Sequence, residues 1–151
     1  MKKGFTLIEM LAVIIVLAVI AVIAIPIVAN VIESGKIGAT ENSTNIYIKE
    51  VETKFSEWSI EGIPTNLGAV SEGDYIIIDV QKLNSVLNLD GDVPTVGTIK
   101  IDNNYSLDSH FFGYVIDAEL TFDNGYKAVY QYDVSENFQG NRATIEIQKS
   151  E

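Results

Sequence analysis

The sequence predicts an α+β fold in which one long N-terminal helix packs on an antiparallel meander sheet of about four strands. Two patterns carry this expectation. Residues 10–29 are consecutive apolar residues, and a helically spaced apolar stripe follows them further along. The second half of the chain instead alternates apolar and polar residues with a period of two, as antiparallel strands with one buried face do. The length of 151 residues suits one domain. A net charge of -11 weighs against nucleic-acid binding through a basic surface. The absence of cysteine excludes disulfides, thiolate metal sites and cysteine nucleophiles, and a single histidine, His110, excludes a multi-histidine metal site.

The helix begins in a segment fit for a membrane. At about 1.5 Å per residue, residues 10–29 span roughly 30 Å, the thickness of a bilayer core. A secretory signal peptide also starts basic and continues apolar. This run is longer than a usual signal core, shows no small-x-small cleavage pattern before Asn30, and has a carboxylate, Glu9, where it begins. Leu, Ile and Val fill thirteen of the run's positions. They favour insertion by roughly 4–8 kcal/mol, against about 3 kcal/mol for one deep acidic group. The segment therefore inserts, and Glu9 either meets a positive partner or snorkels at the headgroups. The residues alone leave both open.

The start of the chain, Lys2-Lys3-Gly4-Phe5-Thr6-Leu7-Ile8-Glu9, resembles the leader junction of type IV pilins and their pseudopilin relatives. The motif is a basic leader ending in Gly, then Phe, a hydroxyl residue, two aliphatics, Glu and a long apolar run. The resemblance is strongest over residues 1–30. It implies that a prepilin peptidase cuts between Gly4 and Phe5 and that Phe5 is N-methylated. It implies that Lys2 and Lys3 face the cytoplasm, as the positive-inside rule also holds. It further implies a partner for Glu9, the N-terminal ammonium of a neighbouring subunit, with Phe5 and Thr6 in the same assembly region. Pairing the two is physically sensible because each charge alone is costly in a low dielectric.

Beyond the apolar run, the only strong breakers up to Ser59 are Pro26, Gly35 and Gly38. Pro26 removes a backbone donor, and each Gly weakens a helix by up to about 1 kcal/mol. A kink followed by a loop near Ser34-Gly35-Lys36 is one outcome. A single long curved helix that loosens at these residues is the other, and the resemblance favours it. From Asn42 the helix turns amphipathic: Ile48, Val51, Phe55 and Trp58 share a face, and Glu50 is spaced for an i,i+4 pair with Lys54. The helix should end near Ile60.

Residues 60–74 read as a loop, Tyr75 to Ile78 as a short strand, and Asp79 as the cap of a short helix presenting Val80, Leu83 and Leu87. A turn follows over residues 88–94. Four strands are then expected. Gly97 to Asp102 places Ile99 and Ile101 on one side. Phe112, Tyr114, Ile116, Ala118, Leu120 and Phe122 occupy every second position of the next. Asp123-Asn124-Gly125 signals a hairpin into Tyr126, Ala128, Tyr130, Tyr132 and Val134. After a loop at residues 136–141, Ala143, Ile145 and Ile147 complete the sheet. The apolar stripe of the long helix is the natural cover for its buried face, and this architecture is also the one the pilin resemblance implies. Many pilins close the head with a disulfide; this chain has no cysteine, which by resemblance points to a Gram-positive type.

The head offers little chemistry. Asn88, Asp90 and Asp92 alternate as in a calcium loop, but Val93 stands where the loop's Gly belongs and the downstream Glu is missing, so a plain Asp-Gly turn is the better account. His110 has no triad-like arrangement near it. The acidic residues Asp90, Asp92, Asp102, Asp108 and Asp117 are scattered. Asn42-Ser43-Thr44 and Asn104-Tyr105-Ser106 match a short glycosylation pattern that also arises by chance.

The expectation is therefore a non-enzymatic, cofactor-free type IV pilin subunit. Residues 1–4 form the leader, 5–30 the membrane and filament-core helix, and 31–151 the extracellular head with the second half of the helix. Its expected partners are further copies of itself, minor pilins, prepilin peptidase, the assembly platform and, before assembly, the membrane, with no direct nucleic acid. Its expected places are the cytoplasmic membrane and then a surface filament serving adhesion or motility. A pseudopilin of a type II secretion or DNA-uptake system is the nearest alternative, and a signal-anchored binding domain with an uncleaved leader is another.

Overall fold

Helix α1 (Leu7–Glu61) carries both the apolar run and the amphipathic stripe. The computed structural model describes residues 4–87, 89, 92–103, 113–135 and 143–150. The chain divides into two units between Lys36 and Ile37. In the first, α1 exposes its apolar side chains all round, from Leu7 to Ile32. That segment is long and apolar enough to cross a membrane. An all-round apolar helix that buries none of its side chains within its own fold has lipid or other helices as its natural surroundings. Pro26, Gly35 and Gly38 all lie inside α1, so the expected alternative of a loop at Ser34-Gly35-Lys36 is not realised.

In the second unit the rest of α1 packs on a six-stranded antiparallel meander whose spatial order is its chain order. The strands are β1 (Val70–Glu72), β2 (Tyr75–Asp79), β3 (Val96–Asp102), β4 (Val115–Thr121), β5 (Tyr126–Tyr132) and β6 (Ala143–Lys149). A short helix, α2 (Val80–Asn84), links β2 to the segment before β3. Its cap is Asp79, whose Oδ1 accepts from the Gln81 backbone N–H at 2.8 Å, as the sequence suggests. Val80, Leu83 and Leu87 are all buried.

Six strands stand where about four were expected. The strand at Tyr75 is real, and β1 was hidden in the presumed loop. All three residues of β1 are exposed, so no alternation marks it. It exists because Gly73, at φ 62, turns the chain back so that Glu72 pairs with Tyr75.

The core is a set of cross-strand rows under the helix stripe. One row runs Ile78, Ile99, Ala118, Tyr130, Ile145, and another runs Ile76, Ile101, Val115. Against them sit Tyr47, Ile48, Val51, Phe55 and Trp58 of α1. Each large apolar side chain buried this way contributes roughly 1.5–3 kcal/mol. The four stripe residues named from sequence are all buried, and Thr40, Thr44 and Tyr47 extend the stripe.

Those three residues carry hydroxyls, and each has a partner. The Thr44 hydroxyl donates to the Thr40 carbonyl at 2.8 Å. Asn124 Nδ2, in the β4–β5 turn, donates to Thr40 Oγ1 at 2.8 Å. The Tyr47 hydroxyl donates to Asn84 Oδ1 at 2.7 Å, and Asn84 Nδ2 donates to the Pro94 carbonyl at 2.6 Å. The helix is thus stitched to both α2 and the hairpin turn by polar groups that burial would otherwise penalise.

The expected phase of β4 is corrected over its first part. Lys100 pairs with Asp117, but Ile101 pairs with Val115, so Ile116 is an extra residue at a bulge. Val115 is fully buried, Tyr114 is exposed and Ile116 is half-buried, whereas Ala118, Leu120 and Phe122 hold the expected face. Phe112 lies outside the described residues, as does the loop at residues 136–141. The expected Glu50–Lys54 pair is also replaced: Lys54 Nζ meets Glu57 Oε2 at 2.8 Å, one turn the other way.

Gly97 offers a sharp test of the β3–β4 contact. Its φ is 147, and a Cβ there would stand 1.8 Å from the Glu119 carbonyl oxygen. Gly97→Ala should destabilise the head by about 3 kcal/mol or more, since backbone must move to admit the methyl. Thermal or urea unfolding of the full chain in detergent micelles, followed by circular dichroism, reads that loss.

Candidate functional site

The residues singled out at the N-terminus form one local structure. Residues 4–6 are non-helical and exposed, and α1 starts at Leu7. Nothing lies within 4 Å of a Cβ built on Gly4, and Phe5 is 84% exposed. The Gly4–Phe5 peptide bond is therefore held in open, non-helical chain immediately before a helix, the form in which a backbone can enter a protease site.

Thr6 and Glu9 close the helix start reciprocally. The Thr6 backbone N–H donates to Glu9 Oε2 at 2.8 Å, and the Thr6 hydroxyl donates to the same oxygen at 2.9 Å. The Glu9 backbone N–H donates back to Thr6 Oγ1 at 3.3 Å. The Met10 N–H reaches the Thr6 carbonyl at 3.3 Å, which makes Thr6 the capping residue. This is a capping box, Thr-x-x-Glu, with the carboxylate also at the positive end of the helix dipole. The Thr-x-x-Glu spacing that forms it is a local signature already present in the sequence. Within a single chain Glu9 already has two donors.

Residues 1–25 match the family model of the prokaryotic N-terminal methylation motif. The match covers the N-terminal segment, which is similar to a prepilin junction. No curated protein and no solved structure matches it. The motif, the apolar start of α1 and the α+β head together fit a type IV pilin or pseudopilin-like protein. The motif implies processing by prepilin peptidase and assembly into a pilus-type system, and with the apolar helix it fits a membrane-anchored precursor.

The other sequence candidates do not gather into a site among the described residues. Asn88 and Asp90 lie outside them. Asp92 Oδ2 accepts from Asn124 Nδ2 at 3.3 Å. No group of three His, Cys, Asp or Glu side chains among the described residues is placed to hold a metal. His110, Asp108 and Asn104 lie outside the described residues, and Asn42 is exposed within α1.

A further carboxylate was not singled out from sequence. Glu52 leans from α1 toward the β4 bulge, and its Oε1 accepts the Val115 backbone N–H at 3.1 Å. It forms no ion pair among the described residues. Burial raises its pKa above the usual 4.5, outweighing the opposing Val115 hydrogen bond. The Tyr130 hydroxyl is pushed up by burial first and by the Glu52 charge second. The one hint in the sequence is that Glu52 follows the stripe residue Val51.

An acid with a raised folded-state pKa holds its proton more tightly folded than unfolded, so ionising it weakens the fold. The weakening begins as pH rises through 4.5 and is complete above the raised value. Glu52→Gln should therefore melt at a higher temperature than the parent chain at pH 7.5 and at the same temperature below pH 4. Paired melts of the two full chains across that range check it.

Proposed function

We propose that this chain is a type IV pilus subunit, cut between Gly4 and Phe5, N-methylated at Phe5 and polymerised into a surface filament for adhesion or motility. The observation that carries the proposal is the N-terminal junction. An exposed Gly-Phe bond stands one residue ahead of a capped helix whose apolar side chains are exposed on every side. Residues 1–4 are then the leader, 5–30 the filament-core helix and 31–151 the head that meets the surroundings.

In this proposal the new amine at Phe5 meets Glu9 of a neighbouring subunit. Glu9 Oε2 is already held by Thr6, so the carboxylate is presented in a fixed place rather than searching for one. Two compensated charges in an apolar setting are favoured over two isolated ones. Pro26, Gly35 and Gly38 are the places where α1 can yield during packing. Further partners are minor pilins, prepilin peptidase and the assembly platform, with the cytoplasmic membrane as the store of unassembled subunits.

Mass spectrometry of filaments sheared from the native cells tests the proposal. The expected result is an abundant chain beginning at methylated Phe5. A processed chain confined to the membrane fraction would replace the filament subunit with a pseudopilin. A mature protein retaining residues 1–4 would sink both. Glu9→Gln should leave membrane insertion intact and cut filament yield sharply, while normal yield from that variant would remove the pairing role.

A further inference from the structure

A cleft of about 260 Å³ opens in the head between α1 and the start of β4, lined by Lys49, Glu52, Thr53, Ser56, Gly113 and Tyr114. The hydrogen bonding of its lining is lopsided. The Thr53 hydroxyl donates to the Lys49 carbonyl at 2.8 Å, and the Ser56 hydroxyl donates to the Glu52 carbonyl at 2.9 Å. The Gly113 N–H is taken by the Asp102 carbonyl at 2.9 Å. Both hydroxyl protons and the glycine N–H are thus committed to backbone. What these groups leave for an occupant is the lone pairs of Thr53 and Ser56 and the half-buried Glu52 carboxylate, one of whose oxygens takes the Val115 N–H.

An aromatic face adjoins these acceptors. Tyr114 is 41% exposed, and its ring lies 5.5 Å from that of Tyr132, tilted by 33°. Tyr130, on the same strand as Tyr132, is close enough to Glu52 to feel its charge. Lone pairs, a carboxylate with no ion pair among the described residues and a tyrosine face all attract positive charge and offer little to an anion or a neutral acceptor. Lys49 is the one cation among the described lining residues, and it forms no ion pair with Glu52.

We propose that this cleft is a binding site for a small alkylammonium group, held by the Glu52 carboxylate and the Tyr114 ring. Charge attraction in a partly desolvated cleft and cation–π contact act on the same centre, so each should contribute separately. Lys49, as a like charge in the same lining, opposes the ligand.

The experiment is a titration of the full chain in maltoside micelles with choline, read by the aromatic proton resonances of the tyrosines. Its uncharged isostere, 3,3-dimethylbutan-1-ol, serves as the control. Choline should give a saturable shift with a dissociation constant in the millimolar range, and the isostere should bind at least fivefold more weakly. Glu52→Gln, which keeps the shape and an acceptor for Val115, should weaken choline at least fivefold. Tyr114→Leu, at an exposed position, should weaken it several-fold by a separate route, and Lys49→Gln should tighten it. No saturable shift at 50 mM choline, equal binding of the isostere, or unchanged choline affinity in Glu52→Gln would each overturn the proposal.

Discussion

The head depends on burial of one helix stripe. A single-layer sheet has two faces, and in this fold the segment of α1 from Thr40 to Trp58 covers the buried one. The rows headed by Ile76 and Ile78 are apolar because that helix lies over them. The opposite face carries Lys100, Asp117, Glu119 and Lys127, with Lys127 paired to Glu119 and Lys100 set 4.3 Å over the Tyr75 ring. Exposed pairs of this kind contribute little to stability. The weight falls on Val51 and Phe55, which are almost wholly excluded from solvent, and on the isoleucines opposite them. Removing the cover would open those isoleucines to water on that side, with Leu67, the α2 residues Val80 and Leu83, and Leu87 left in the same core.

That dependence explains what the sequence made legible. Period-two alternation under a period-four stripe is a strong signal because both arise from the same contact, and it placed β3, β5, β6 and the helix end to within a residue or two. The signal fails wherever burial is not what decides. β1 is an edge strand of three exposed residues, set by a glycine turn, so hydropathy is silent there. The bulge at Ile116 shifts the phase of one strand by one residue, and in a strand one residue exchanges the two faces. A run of Phe112, Tyr114 and Ile116 looks like a buried face until the pairing with β3 shows Val115 in its place. Thr40 and Thr44 are buried in spite of their hydroxyls because Asn124 and the helix carbonyls satisfy them. No composition rule reveals a partner that is 84 residues away in the chain.

The site followed the same division. Gly4, Phe5 and Glu9 were recognisable from the motif, and the family-model match covers them. The tie between Thr6 and Glu9 is a local rule, also readable, whose importance emerges only with both hydrogen bonds in view. Glu52 was not readable as a site, because its environment is made by the bulge, and the bulge is a tertiary event.

The two carboxylates, Glu9 and Glu52, meet one problem in two ways. Each stands where water is scarce or will become so, and neither forms an ion pair among the described residues. Glu9 takes two donors from Thr6, which serves the helix start at the same time. Glu52 is partly buried and takes one N–H from Val115, which does not offset that burial, so its proton is held more tightly. A group fully satisfied within its own chain is a poor recruiter, since a partner must compete with bonds already made. A group with spare acceptor capacity is a better one. Glu9 has that capacity too, because both Thr6 donors converge on Oε2 and leave Oε1 free of either. In the proposed assembly the capping box and an incoming ammonium therefore need not exclude each other. One oxygen can hold the helix start while the other meets the neighbour, so the cap that keeps the lone subunit ordered persists in the filament.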